Sequence, residues 1–216
     1  MSQDSQLQES VLAAFNWEPS VSAGHIGVAA NAGVVSLSGY VDSYAEKHAA
    51  ETAARRVKGV RAVAEEIEVR LAMDSRRSDA QIAAAAIERL SWNVTVPKDS
   101  VQVKVENGWV TLTGQVDWWY QKEAAASDIS PLHGVIGVSN QTTIKPRVDT
   151  GALSDDITHA LHRSWFFDPD NVQVRADGGR VTLTGTVQSY HERQVAAEAA
   201  WSARGTTAVE NNIEVV

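Results

Sequence analysis

The sequence Val-Thr-Leu-Thr-Gly at Val110 to Gly114 occurs again at Val181 to Gly185 and, with serines for threonines, at Val35 to Gly39. Each copy has a glycine six residues earlier (Gly33, Gly108, Gly179) and another twenty residues later (Gly59, Gly134, Gly205). Landmarks that keep step over such distances mark one structural unit written three times. The chain is therefore expected to build three small units, 1–71, 77–146 and 152–216, rather than one large core. Units of about 65 to 75 residues bury little apolar surface alone, so they should lean on one another.

Within each unit the apolar periodicity gives the same order of elements. An opening helix carries Leu7, Val11, Ala14 and Phe15, then Ile82, Ala86 and Leu90, then Ile157, Ala160, Leu161 and Trp165 on one face. Asp4, Ser78 or Asp79, and Ser154 or Asp155 stand where an N-cap is needed. A short alternating strand follows, with Ile26 and Val28, Val101 to Val105, or Val172 and Val174. It turns at Asn31-Ala32-Gly33, Asn107-Gly108 or Gly178-Gly179, residues that reach positive φ cheaply and close a hairpin.

The returning strand sends Val35 and Leu37, Val110 and Leu112, or Val181 and Leu183 inward. Its outward residues in repeat one, with Gly27 and Ala29 of the neighbouring strand, are Val34, Ser36 and Ser38, small enough to read as packed against a neighbour. An alanine-rich helix comes next, capped by Ser43 with Glu46 and by Ser189 with Glu192. It ends near Gly59, Gly134 or Gly205, each read as a C′ residue, and a last strand closes the unit. The fold class is α+β: three tandem α-β-β-α-β modules, each a small three-stranded sheet covered by two helices, with a right-handed crossover and the strand order open.

The net charge of −8 is unevenly spread, with about −3 on residues 1–71, 0 on 72–147 and −5 on 148–216. An acidic chain without a strongly basic segment is a poor nonspecific nucleic-acid binder, so no nucleic-acid partner is expected. The central repeat is the least repulsive to an anionic surface. The basic linkers around Arg76-Arg77 and Lys145-Pro146-Arg147 read as solvated connectors. There is no cysteine, no apolar run of membrane-spanning length and no secretory leader pattern, so the expectation is a cytoplasmic protein, at most peripheral to a membrane.

Together, the glycine turn, V-x-L-x-G-x-V, the alanine-rich helix and G-V-x-x-V resemble the BON domain, named for bacterial osmotically inducible and nodulation proteins. Gly33 to Val41 with Gly59-Val60-Arg61-Ala62-Val63 matches best, and Gly179 to Val187 with Gly205 to Val209 follows. The resemblance implies an α-β-β-α-β fold, stress-type function and binding rather than catalysis, with anionic phospholipid or a membrane surface as ligand. Some cytoplasmic relatives imply a link to potassium, so a monovalent-cation sensor is the alternative, beside an assembly module for a protein partner. Repeat two departs from the pattern at Ile136-Gly137 and Thr142, which should weaken its last strand.

Repeat two also holds the candidate binding residues. Trp118 replaces the capping serine, Trp119 and Tyr120 follow, and Trp109 replaces Val34 and Arg180. Indole and phenol combine an apolar body with a donor, as an interfacial contact requires. With Lys104 and Lys122 they form the expected lipid or partner surface, although aromatics also suit a seam between repeats. Replacing a serine cap costs about 1 kcal/mol unless Asp117 or another group substitutes. His159 and His162 could join Asp155 or Asp156 around a metal, but no third ligand is placed by a motif. Asp168-Pro169-Asp170-Asn171 reads as an Asx-stabilised turn. No catalytic motif, metal site or cofactor is expected.

Overall fold

The computed structural model describes residues 3–145, 153–162 and 171–216. Repeat one runs α1 (Gln3–Trp17), β1 (Ile26–Asn31), β2 (Val34–Val41), α2 (Tyr44–Arg55) and β3 (Ala62–Val69). Repeat two runs α3 (Asp79–Trp92), β4 (Val101–Glu106), β5 (Trp109–Val116), α4 (Trp119–Ile129), β6 (Gly137–Asn140) and β7 (Thr143–Ile144). Repeat three runs α5 (Leu153–His162), β8 (Val172–Asp177), β9 (Arg180–Val187), α6 (Tyr190–Ser202) and β10 (Ala208–Val215). The expected α-β-β-α-β order thus holds three times. Trp165, Asp168, Pro169, Asp170 and Pro146 to Gly151 lie outside the described residues.

The strand order left open by sequence is resolved: the returning strand is central in every sheet. In repeat three β9 pairs antiparallel with β8 (Val174 opposite Leu183) and parallel with β10 (Val209 opposite Val181). In repeat two β5 is antiparallel to β4 and parallel to β6 and β7. The first hairpin supplies the antiparallel edge, and the second helix supplies the crossover that a parallel edge needs. Val35, Leu37, Val110, Leu112, Val181 and Leu183 have no exposed surface. Around Val110 and Leu112 close Ile82 and Ala86 of α3 and Ala125 and Ile129 of α4. The alanines of the second helix let it lie close to the sheet.

The hairpin turns have both central residues at positive φ: Ala32 (49°) and Gly33 (82°), Asn107 (51°) and Gly108 (79°), Gly178 (53°) and Gly179 (87°). This is the primed geometry that matches strand twist, and Ala32 is the residue least suited to it. The motif glycine answers a different need. A Cβ on Gly114 would fall on the Ser100 carbonyl oxygen, and one on Gly185 on that of Asn171. The returning strand passes too close to the start of the first strand for any side chain.

Three sequence expectations are corrected. The second glycines are not helix C′ residues. Each follows its helix by several residues, at positive φ in a separate turn, closed by Val60 N to Val57 O, Val135 N to Leu132 O, or Thr206 N to Ala203 O. Of the proposed N-caps, Ser78 caps α3 in a reciprocal box with Gln81, but Asp4 and Asp79 reach across instead. Asp79 accepts from Asn107 N and Gly108 N (both 2.8 Å) and Asp4 from Ala32 N (2.8 Å), tying the first helix to the hairpin turn. Ser154 Oγ donates to Val174 O (3.0 Å) rather than capping. Finally, the outward face of repeat one is not packed against a neighbour: Gly27, Ala29, Val34 and Ser38 are exposed and Ser36 is half-buried. Both helices occupy the other face, and small apolar residues do not by themselves imply burial.

The chain divides into two compact units. One comprises Met1–Ser38, Ala49–Glu66 and Pro146–Val216, the other Gly39–His48 and Ile67–Lys145. Within the first, Arg55 lies over the Tyr190 ring at 5.1 Å, and Lys58 Nζ donates to Gln188 Oε1 (2.7 Å), so repeats one and three do lean on each other. Within the second, Tyr44 of repeat one packs on the core of repeat two.

Ala32 in a left-handed conformation carries roughly 1 kcal/mol of strain. Ala32→Asn, which installs the repeat-two residue, should raise the urea midpoint by that equivalent. Gly114→Ala should lower it by about 3 kcal/mol or more, because backbone rather than a flexible side chain blocks the space. Equal midpoints for Gly114→Ala and wild type would remove the steric account of the motif.

Candidate functional site

The four candidate aromatics of repeat two do not form one cluster. Trp109 opens β5, whereas Trp118, Trp119 and Tyr120 lie beyond its other end, about 23 Å away at strand rise. Trp109 is 48% exposed on the outward sheet face and covers Gly137, its partner in the parallel register. A Cβ on Gly137 would collide with the six-membered part of the indole ring. The two departures of repeat two are therefore one device: the large residue on β5 requires the absent side chain on β6. The equivalent pair in repeat three is Arg180 and Ala208. Lys104 shares this face but forms an ion pair with Glu106 (2.8 Å).

At the other end, Trp118 and Tyr120 stack with centroids 6.4 Å apart. Trp118 and Trp119 are half-buried and Tyr120 is exposed. The lost serine cap is compensated by Gln121 rather than Asp117. Its buried Oε1 accepts from Asp117 N (3.0 Å) and Trp118 N (3.1 Å), preserving the half of the box that Glu46 and Glu192 make in the other repeats. Asp117 pairs instead with Lys145 (3.3 Å). Lys122 on α4 is half-buried, and its carbonyl accepts from Asn140 Nδ2 (2.6 Å).

The last strand of repeat two is broken, as its departures suggested, into β6 and β7. Thr142 stands buried where repeats one and three have Ile67 and Ile213, and its hydroxyl donates to Asn140 Oδ1 (2.7 Å). The hydrogen bond makes a buried hydroxyl tolerable.

Two exposed tryptophans were missed by sequence reasoning. Trp17 ends α1 and Trp92 ends α3, 75 residues apart, the same offset that separates Gly39 from Gly114. Trp17 is 87% exposed and Trp92 is 78% exposed. The repeat offset was the signal that would have found them. Beside Trp17, the Glu18 carboxyl is held below its usual range by the Ser20 hydroxyl (2.7 Å). Beside Trp92, Asn93 accepts from Thr95 N (2.8 Å) and donates to Asp128 Oδ2 (2.6 Å). This Asx arrangement pins the loop to α4 while Val94 stands 99% exposed. Ile87 is exposed as well, and a groove of about 640 Å³ lined by Leu90, Val96, Pro97 and Lys98 runs alongside. Ile87, Leu90, Val94, Val96 and Pro97 give that groove a largely apolar lining.

His159 is exposed, and among the described residues no group of three or more metal-ligating side chains occurs. Among them, too, no helix is long and apolar enough to cross a membrane.

The family model of the BON domain matches residues 3–70, 78–146 and 149–216. The chain belongs to the BON domain family. Among curated relatives, this BON protein is similar to Osmotically-inducible protein Y of Escherichia coli (strain K12), with 30% identity over 146 residues, 66% of this chain and 73% of that protein. Among solved structures, it aligns with CdsD, a structural protein of the type III secretion system of Chlamydia trachomatis. That alignment has 16% identity and a TM-score of 0.28 over 98% of this chain and 92% of that one.

The coupling between Trp109 and Gly137 is open to a double-mutant cycle. Gly137→Ala alone should destabilise the protein by about 1 kcal/mol, whereas in a Trp109→Val background it should be neutral or stabilising, since that pair restores the residues of repeat one. Additive effects in thermal melts would show that the two positions are independent.

Proposed function

We propose that this chain is a non-enzymatic BON-repeat protein of osmotic-stress type that binds anionic phospholipid surfaces peripherally. Family membership and the osmotically inducible relative support the class. The observation that carries the membrane reading is the exposed indole at the end of the first helix in both repeat one and repeat two. A tryptophan exposed at a helix end has the make-up of an interfacial contact, and repeat two adds the exposed Ile87 and Val94. Trp109 with Lys104, and Trp118, Trp119 and Tyr120 with Lys122, are the two further contacts. The neutral charge of repeat two makes it the part that approaches an anionic surface at least cost.

Exposure of the small, weakly polar sheet face of repeat one favours a second reading, assembly with a protein partner. Self-association on sizing columns without lipid, lost in Val34→Lys, is its expected mark.

Sedimentation with vesicles of neutral and anionic phospholipid tests the membrane reading. The wild type should pellet with anionic vesicles. Trp17→Ser/Trp92→Ser should bind roughly tenfold more weakly or worse, as one buried large apolar side chain contributes ~1.5–3 kcal/mol, and should keep its melting temperature. Loss of binding in Trp118→Ser/Trp119→Tyr instead would move the contact to the start of α4. A wild type that stays in the supernatant would end the membrane reading.

A further inference from the structure

We propose that the cavity between the end of β3 and the hairpin turn of repeat two is a binding site for a phosphate group, held by Arg76 and Arg77. The inference is independent of the membrane contact above and concerns other residues.

The cavity, of about 710 Å³, is lined by the guanidinium-bearing residues Arg70, Arg76 and Arg77 and by two carboxylates, Glu68 and Asp79. Both carboxylates are already engaged. Glu68 Oε2 accepts from Arg70 Nε (2.9 Å) and Nη2 (2.7 Å), and the oxygens of Asp79 accept from Asn107 N and Gly108 N. Arg70 is neutralised by that pair and lies over the Tyr40 ring at 4.5 Å.

Arg76 and Arg77 differ. Neither has a carboxylate partner among the described residues, although the chain carries 27 acidic side chains. Their contacts are with backbone carbonyls, which position a guanidinium without cancelling its charge. Arg77 Nη1 donates to Asp74 O (2.6 Å) and Arg76 O (2.8 Å), and Arg76 Nε donates to Leu71 O (3.4 Å). Asp74 thus contributes its carbonyl to the arrangement. The remaining N–H groups of the two adjacent planar forks have no acceptor among the described residues, and a tetrahedral phosphate with several acceptor oxygens fits such a pair better than a halide does. Counting the lining side chains, three cations against two engaged anions leave the cavity positive, within a chain that is negative as a whole. The phosphate can belong to a small phosphomonoester, to inorganic phosphate or to a lipid headgroup, and these sources share the same recognition chemistry.

The test uses the full chain, with inorganic phosphate titrated at constant ionic strength and followed by thermal melting and calorimetry. Phosphate should raise the melting temperature of the wild type by linkage, and chloride should not. Arg76→Gln/Arg77→Gln, exposed on the linker and expected to melt normally without phosphate, should lose at least tenfold in phosphate affinity. Arg175→Gln/Arg180→Gln removes the same charge from the sheet face of repeat three and should bind as the wild type does. In a parallel arm, vesicles of phosphatidic acid should lose binding to the Arg76/Arg77 variant if a headgroup is the source, and keep it if the source is soluble. Phosphate binding undiminished in that variant, equal losses in both variants, or no phosphate effect on the wild type would overturn the proposal, whatever the tryptophan variants do.

Discussion

Everything in each module depends on a middle strand that is hydrogen-bonded along both edges. β5 and β9 take an antiparallel neighbour on one side and a parallel one on the other, with valine and leucine buried between the sheet and two helices. A strand so placed has no freedom of register, because a slip by one residue would turn Val110 and Leu112 outward and Thr111 inward. The glycine that ends the motif follows from the same geometry, since the carbonyl of the residue before the first strand occupies the place of its side chain. At both ends of the parallel edge the pairing is pinned by backbone bonds: Ile136 N to Gly108 O (3.0 Å) and Lys145 N to Val116 O (2.9 Å) in repeat two, with counterparts in repeats one and three. The module is thus defined by backbone constraints that only a few sequence positions express.

Repeat two shows how much can change when those constraints are respected. Its departures are each compensated locally: Gly137 makes room for Trp109, Gln121 preserves the reciprocal half of a lost serine cap, and Asn140 receives the hydroxyl of Thr142. Asn140 acts as Asn211 does in repeat three, where Asn211 Nδ2 donates to the Arg193 carbonyl (2.9 Å). Single-residue comparison makes these changes look like damage. In space they are pairs, each removing an unsatisfied donor or a steric conflict whose cost would be on the order of 1–3 kcal/mol.

The parts of the fold legible in the sequence were those governed by local physics. The alternation of Val101, Val103 and Val105, the Asn107-Gly108 turn and the serine caps at Ser43 and Ser189 each depend on a few neighbouring residues, and each was readable from them. What was not readable depended on the meeting of distant segments. Asp4 and Asp79 look like caps because an acidic residue at a helix start usually is one, and only the fold brings the turn backbone within reach. The aromatics from Trp109 to Tyr120 look like a cluster because they are near in sequence, but an extended strand carries its ends apart by more than 20 Å. Val34, Ser36 and Ser38 look buried because they are small, yet three strands and two helices make two layers, leaving one sheet face without cover.

Trp17 and Trp92 recur without the structural reason that makes the motif glycines recur. Glycines and inward valines recur because the fold fails without them, so their repetition says nothing about a ligand. A tryptophan with more than three quarters of its surface exposed contributes little to the folded state, and a serine or lysine at the helix end would serve the module as well. Its presence at the same repeat offset in two modules, whose solvent-facing residues otherwise differ, is not required by packing. Nor does the local hydrogen bonding explain it, for the Asx turn at Asn93 operates through residues that follow the indole. The recurrence is therefore what the proposed membrane contact rests on, since an apolar body carrying one donor is suited to a boundary between water and an apolar phase.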